Sequence, residues 1–134
     1  MKINVDVTVQ APLESVWRAY TSPDVIKIWN AASDDWQTTN ATVDLRVGGN
    51  FSFKMEAKDG SMGFDFSGVY THIDEYKFIA YSFGDRTAQI TFDNTSEGIH
   101  VTVTFDAETT YPEEQQRHGW QAILMNFKKY VESR

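Results

Sequence analysis

The sequence predicts an α+β fold in which a curved antiparallel sheet of six to seven strands wraps around a long C-terminal helix. Three observations carry this. From residue 43 to residue 105 apolar side chains recur almost throughout with a period of two, the spacing that lines one face of a sheet. An alternating segment near the start adds a further strand. The chain then closes on an amphipathic helix of about twenty residues, whose apolar stripe is the only one large enough to cover the sheet's inner face.

The elements follow in order. Ile3, Val5, Val7 and Val9 alternate with Asn4, Asp6 and Thr8, a strand with one wet side. Pro12 suits a first helical turn, and Leu13, Val16, Trp17 and Tyr20 follow at helical spacing. Ser22, Pro23 and Asp24 restart the pattern as N-cap, first-turn residue and dipole partner of a short second helix, with Val25, Ile26 and Trp29 inward. Residues 30–41 are polar and read as an irregular loop. Val43, Leu45 and Val47 then read as a strand ended by Gly48-Gly49, and Phe51, Phe53 and Met55 as the next. Asp59-Gly60 marks a hairpin. Phe64 and Phe66 resume the inward face, and Gly68 marks a bulge where parity changes before Tyr70 and Ile73. Ile79, Tyr81 and Phe83 lead into a Gly84-Asp85-Arg86 turn; Ala88, Ile90 and Phe92, then Ile99, Val101, Val103 and Phe105, complete the strands. Thr110 and Glu113 have the spacing of a capping box. Trp120, Ile123, Leu124, Phe127, Tyr130 and Val131 form the final helical stripe. The expected order is therefore β-α-α-β6-α.

The 134 residues suit one domain spanning 1–134, since a chain of this size buries roughly two-thirds of its unfolded surface. Nine Phe, six Tyr and four Trp supply bulky core side chains. Nineteen acidic against twelve basic residues give a net charge of −7, which disfavours nucleic acid and anionic membranes. The absence of cysteine excludes disulfides and thiolate chemistry. No signal-like or membrane-spanning run is present, so a cytoplasmic protein is expected.

Parity sends Asp44, Arg46, Lys54, Glu56, Asp65, His100 and Asp106 to the solvent face, away from any cavity beneath the sheet. None of His72, His100 and His118 stands four residues from another, so no metal site is expected; phosphate-loop, nucleophile-elbow and dinucleotide motifs are also missing, and no cofactor or catalytic residue is assigned. A curved sheet of six or seven strands spans more area than one helix roughly 10 Å wide covers. The uncovered part is expected to hold an apolar pocket. Its expected ligand-binding side chains are Phe51, Phe53, Met55, Phe64, Phe66, Tyr81 and Phe83 on the sheet, with Trp120, Ile123, Leu124 and Phe127 on the helix. Trp29 and Trp36 flank the polar loop as a rim, and Tyr70, Tyr81 and Gln116 are the polar groups that orient a ligand.

Ala11-Pro12, Val16-Trp17, Ala19-Tyr20-Thr21, Pro23, Ile26 and Trp29, then Val47-Gly48-Gly49, Phe51 and Phe53, then Gly68 and Tyr70, then Gly119-Trp120, Ile123-Leu124 and Asn126 to Tyr130, together resemble the family named after the C-terminal domain of the activator of Hsp90 ATPase. That family belongs to the START-like, Bet v 1-like superfamily. The resemblance implies the helix-grip fold, with a deep hydrophobic cavity between sheet and long helix. It also implies a protein partner, since the eukaryotic co-chaperone acts on Hsp90; much of that contact is made by an additional N-terminal domain, for which this chain has no room. Three functions follow, in order of preference: binding of a hydrophobic, aromatic small molecule or lipid; a stress-related interaction module with a chaperone partner; and a cyclase- or hydrolase-type enzyme using Tyr70, Tyr81 or His118 as proton donor. A monomer or weak homodimer is expected.

Overall fold

A computed structural model describes residues 1–134. Strand β1 (Lys2–Val9) is followed by helices α1 (Leu13–Thr21) and α2 (Pro23–Trp29), six strands and a terminal helix. The strands are β2 (Trp36–Val43), β3 (Asn50–Ala57), β4 (Gly63–Asp74), β5 (Phe78–Phe83), β6 (Arg86–Thr95) and β7 (Gly98–Asp106), and the helix is α3 (Glu113–Glu132). One antiparallel sheet in the order β1-β7-β6-β5-β4-β3-β2 curls around α3, the helix-grip arrangement. No helix is long and apolar enough to cross a membrane.

Alternation builds the best-packed half. Ile3, Val5, Val7 and Val9 of β1 face inward opposite Phe105, Val103, Val101 and Ile99 of β7, and all eight are buried. The two sheet edges are covered by helices. α3 lies along β1, and α2 packs on β2, so neither terminal strand offers a bare edge. Between them α1 buries Val16, Trp17 and Ala19, with the Trp17 ring 5.1 Å from that of Phe92. Phe127 is fully buried where the helices meet, its ring 5.2 Å from Tyr20 and 5.0 Å from Trp29.

Four local expectations are corrected. Part of the supposed loop, residues 36–41, belongs to strand β2 (Trp36–Val43). A bulge at Thr39, between the pairs Thr38–Met55 and Asn40–Lys54, shifts the register and erases the period-two signal. Conversely Leu45 and Val47 lie in the β2–β3 turn and are exposed, because that turn closes on itself. The Arg46 N–H donates to the Asp44 carbonyl and the Gly49 N–H to the Arg46 carbonyl, while the Gly48 N–H donates across to the Tyr70 carbonyl of β4. Gly68 sits in regular register opposite Phe51, and the β4 irregularity falls at Thr71 instead. The glycine is there for space: a Cβ at 68 meets the Ser82 carbonyl oxygen and comes within 2.8 Å of the Phe51 ring. The fourth correction is the α3 start, where Pro112 is the N-cap and no side chain caps it. Gln116 instead staples the preceding turn to the helix. Its amide donates to the carbonyls of Glu108 (3.1 Å) and Tyr111 (2.8 Å), and its Oε1 accepts the Glu108 N–H at 2.9 Å.

Replacing Phe127 by Ala is expected to cost about 3–5 kcal/mol, because its cavity opens where α1, α2 and α3 meet. Met125→Ala on the exposed side of the same helix is expected to stay within about 0.5 kcal/mol. Urea unfolding of both variants measures the difference.

Candidate functional site

The sheet curls further than α3 reaches, and an apolar cavity of about 460 Å³ remains between β3–β5 and the helices. Of its 21 lining residues 17 are hydrophobic, leaving Thr21, Asn30, Arg86 and Glu108 as the other four. The sheet supplies a continuous aromatic shelf. The Phe51 ring lies 5.2 Å from Phe53, 5.3 Å from Tyr70 and 4.8 Å from Tyr81, and Phe66 extends the shelf towards Trp120 at 6.0 Å. These contacts arise from parity: the rings alternate along β3, β4 and β5 and meet across the ladders as cross-strand neighbours. α3 contributes Trp120, Ile123 and Leu124, and the α1–α2 corner contributes Tyr20, Ile26 and Trp29. Phe64 and Tyr111 line the cavity yet remain more than half exposed, marking where it opens to solvent.

Trp29, Phe51, Phe53, Met55, Phe64, Phe66, Tyr70, Tyr81, Trp120, Ile123 and Leu124 are thus brought together around one space. Trp36, Phe83, Gln116 and Phe127 are not. Trp36 packs beside Phe64 at 6.0 Å, outside the lining. Phe83 lies behind the shelf, between Phe66, Trp120 and the Arg86 guanidinium. Gln116 spends its amide on the loop before α3, and Phe127 forms the packed corner beneath Tyr20 and Trp29.

Other lining residues escaped the sequence reading. Ile79, Ile90 and Val103 have inward parity and were legible as core. Arg86 carried a signal too, since it precedes Ala88 by two residues on β6 and so shares its inward face; reading it as part of a turn hid this. Thr21, Asn30, Glu108 and Tyr111 stand at helix ends or in a loop, where no periodicity points inward.

Most polar groups around the cavity are already engaged. The Trp29 indole N–H donates to the Ala19 carbonyl at 3.0 Å, fixing the ring so that only its apolar surface meets the cavity. Asn30 is held by Thr38, whose hydroxyl donates to the Asn30 carbonyl at 2.6 Å and accepts from its Nδ2 at 3.2 Å. The tyrosines differ. No hydrogen bond within the protein engages the hydroxyls of Tyr20, Tyr70 or Tyr81, and no fully buried side-chain polar atom lacks a partner, so these hydroxyls open onto the cavity. Burial pushes the Tyr70 hydroxyl up to about 12. Burial also raises Tyr20 and Tyr81 well above the ordinary tyrosine value; the neighbouring tyrosines add to this, and Arg86 partly offsets it at Tyr81. All three therefore keep their protons at neutral pH and act as neutral donors and acceptors. His118 is exposed outside the lining. No three His, Cys, Asp or Glu side chains converge on a point that suits a metal ion.

Because these phenols ionise more readily in the unfolded chain, the folded state binds more protons above pH 10 and stability falls as pH rises. Stability is expected to be unaffected by them below pH 10 and to decline from there through about pH 12. Tyr70→Phe is expected to soften that decline, read by urea midpoints at several alkaline pH values alongside phenolate absorbance.

Comparison with known proteins places this architecture. Residues 10–132 match the family model described as activator of Hsp90 ATPase homolog 1-like protein. The solution structure of an AHSA1-like protein from Aeromonas hydrophila is 46% identical, covers 99% of this chain and 93% of its own, and superposes with a TM-score of 0.93. A Cytophaga hutchinsonii protein is 45% identical over 98% of this chain and 92% of its own, with a TM-score of 0.85. A Chromobacterium violaceum protein at 26% identity covers 98% of each chain with a TM-score of 0.88. No curated protein matches. With its helix-wrapped seven-stranded sheet and a match that runs nearly end to end, the chain belongs to the activator of Hsp90 ATPase homolog 1-like family, within the Bet v 1-like superfamily.

Proposed function

We propose that the protein binds a hydrophobic small molecule, aromatic or lipid-like, in the cavity between its sheet and α3. The observation that carries this is a space of about 460 Å³ with 17 hydrophobic residues among 21, beside a core cluster of 24 buried residues. Apolar space of this size loses the dispersion contacts that a filled core keeps, and a bound apolar molecule restores them while leaving water. Stacked rings suit a flat aromatic ligand, and the three tyrosine hydroxyls supply the few polar contacts that set its orientation. The same phenols are poor candidates for acid–base catalysis, because effective catalytic groups titrate near the working pH. In this reading the protein works in the cytoplasm as a monomer or weak homodimer.

The test is a panel of flavonoids, polyketides and fatty acids followed by melting temperature and by the fluorescence of Trp29 and Trp120. A ligand at about 100 times its Kd is expected to stabilise the fold by about 2.7 kcal/mol. Leu124→Trp, which fills the cavity from α3, is expected to abolish the shift while the protein stays folded. Absence of any shift with every ligand class would falsify the proposal.

Family membership together with the net charge of −7 supports a second reading, a stress-related module that binds an Hsp90-type chaperone. A pull-down with such a chaperone as bait is expected to retain the protein at micromolar concentration if this holds, and an empty pull-down counts against it.

A further inference from the structure

The polar groups on a cavity wall decide what a ligand carries besides apolar surface, and here one of them is a cation without a counter-ion. Arg18, Arg46 and Arg117 are each paired with a carboxylate. Arg86, the only cation on the lining, takes part in none of the protein's ion pairs. It is held by other means. Its guanidinium carbon sits 4.4 Å from the centroid of the Phe83 ring, and Nη1 donates to the Asp106 carbonyl at 3.2 Å. That fixes the group while leaving most of its planar donor fork without a protein partner. The fork is the geometry that receives a carboxylate through two parallel hydrogen bonds.

The surroundings strengthen this. Arg86 shares the lining with Glu108 and with Tyr111, which is more than half exposed. The Glu108 carboxylate accepts the Tyr111 N–H at 3.0 Å and lies beyond ion-pair distance of Arg86. The Tyr81 ring, on the shelf, lies 5.6 Å between centroids from the Phe83 ring that carries the guanidinium, and its hydroxyl has no protein partner. A guanidinium and a phenol O–H are both donors, and a partly enclosed apolar wall makes their attraction for an anion stronger than it is in water.

We propose that Arg86 anchors an acidic head group, so that the preferred ligand is an amphiphilic monocarboxylic acid. Its carboxylate rests on Arg86 within reach of the Tyr81 hydroxyl, and its apolar body lies along Phe51, Phe53 and Phe66. This rests on the apolar-cavity reading and narrows it to a ligand class. A fatty acid and an aromatic acid share the chemistry, and matched probes separate them.

The experiment measures affinity by titration calorimetry for two acid–alcohol pairs, dodecanoate with dodecanol and 2-naphthoate with 2-naphthylmethanol. For at least one pair the wild type is expected to favour the acid by about tenfold or more, and the pair that does so identifies the body as chain or ring. Arg86→Met is expected to bring the acid-to-alcohol ratio to about one, the bound alcohol reporting that the cavity has kept its shape. Arg86→Gln, which keeps a donor for the Asp106 carbonyl, is the second variant and is expected to do the same. If acid and alcohol bind the wild type equally, or if the preference survives in both variants, the anchor is overturned and the apolar cavity stands. If no member of either pair binds, the cavity reading fails with it.

Discussion

Everything in this protein depends on where α3 attaches, and it attaches to a strand edge. The outer side of β1 presents backbone groups that no neighbouring strand satisfies, and α3 side chains take them up in turn. The Gln121 amide donates to the Asp6 carbonyl at 2.9 Å and accepts its N–H at 3.4 Å. Lys128 donates to the Thr8 carbonyl, and Glu132 accepts the Gln10 N–H at 2.8 Å. The helix thus stands in for an eighth strand along one edge. Lys128 and Glu132 also pair with each other at 2.7 Å, and this hydrogen bond from Lys128, with the Gln10 N–H adding to it, holds the Glu132 carboxyl below its ordinary value.

This placement makes the cavity. A helix docked along β1 packs its stripe on the β1–β7 half of the sheet, where the Trp120 ring stacks on Phe105 at 3.9 Å, and leaves β3–β5 facing empty space. The opposite edge does not close the gap. There α2 covers β2, and the segment just after α2 is tied to α3 by the Asn126 amide, which donates to the Ala31 carbonyl. With both edges held by helices the sheet can neither flatten nor close upon itself. The space left between is lined by the aromatic rings of the three least covered strands.

Much of the cavity wall was legible from residue order alone. The rings of β3, β4 and β5 obey strict parity, and Trp120, Ile123 and Leu124 share one helical stripe, so their convergence follows from two periodicities meeting. Phe83 and Phe127 obey the same rules and yet stand behind the wall. Periodicity gives the face of an element and not the depth at which a side chain stops, and depth is settled by neighbours far away in sequence. Gln116 shows a different limit: local backbone groups that needed hydrogen bonds claimed a polar side chain that otherwise suited a ligand.

Residue order was enough for the succession of helices and strands other than β2, for most of the inward faces and for the family to which the chain belongs, because these rest on local spacing and on turn, packing and stripe residues that act within a few positions of one another. It did not reveal β2, where one bulged residue at Thr39 cancels the alternation. The tertiary structure alone decided which apolar residues border empty space, which tyrosine hydroxyls stay unpartnered, and that Arg86 lies on the cavity wall without a counter-ion. Each of these is a property of distances between segments far apart in the chain, and no local pattern encodes such distances. The quiet, greasy pocket implied by parity therefore becomes a pocket with one charged corner.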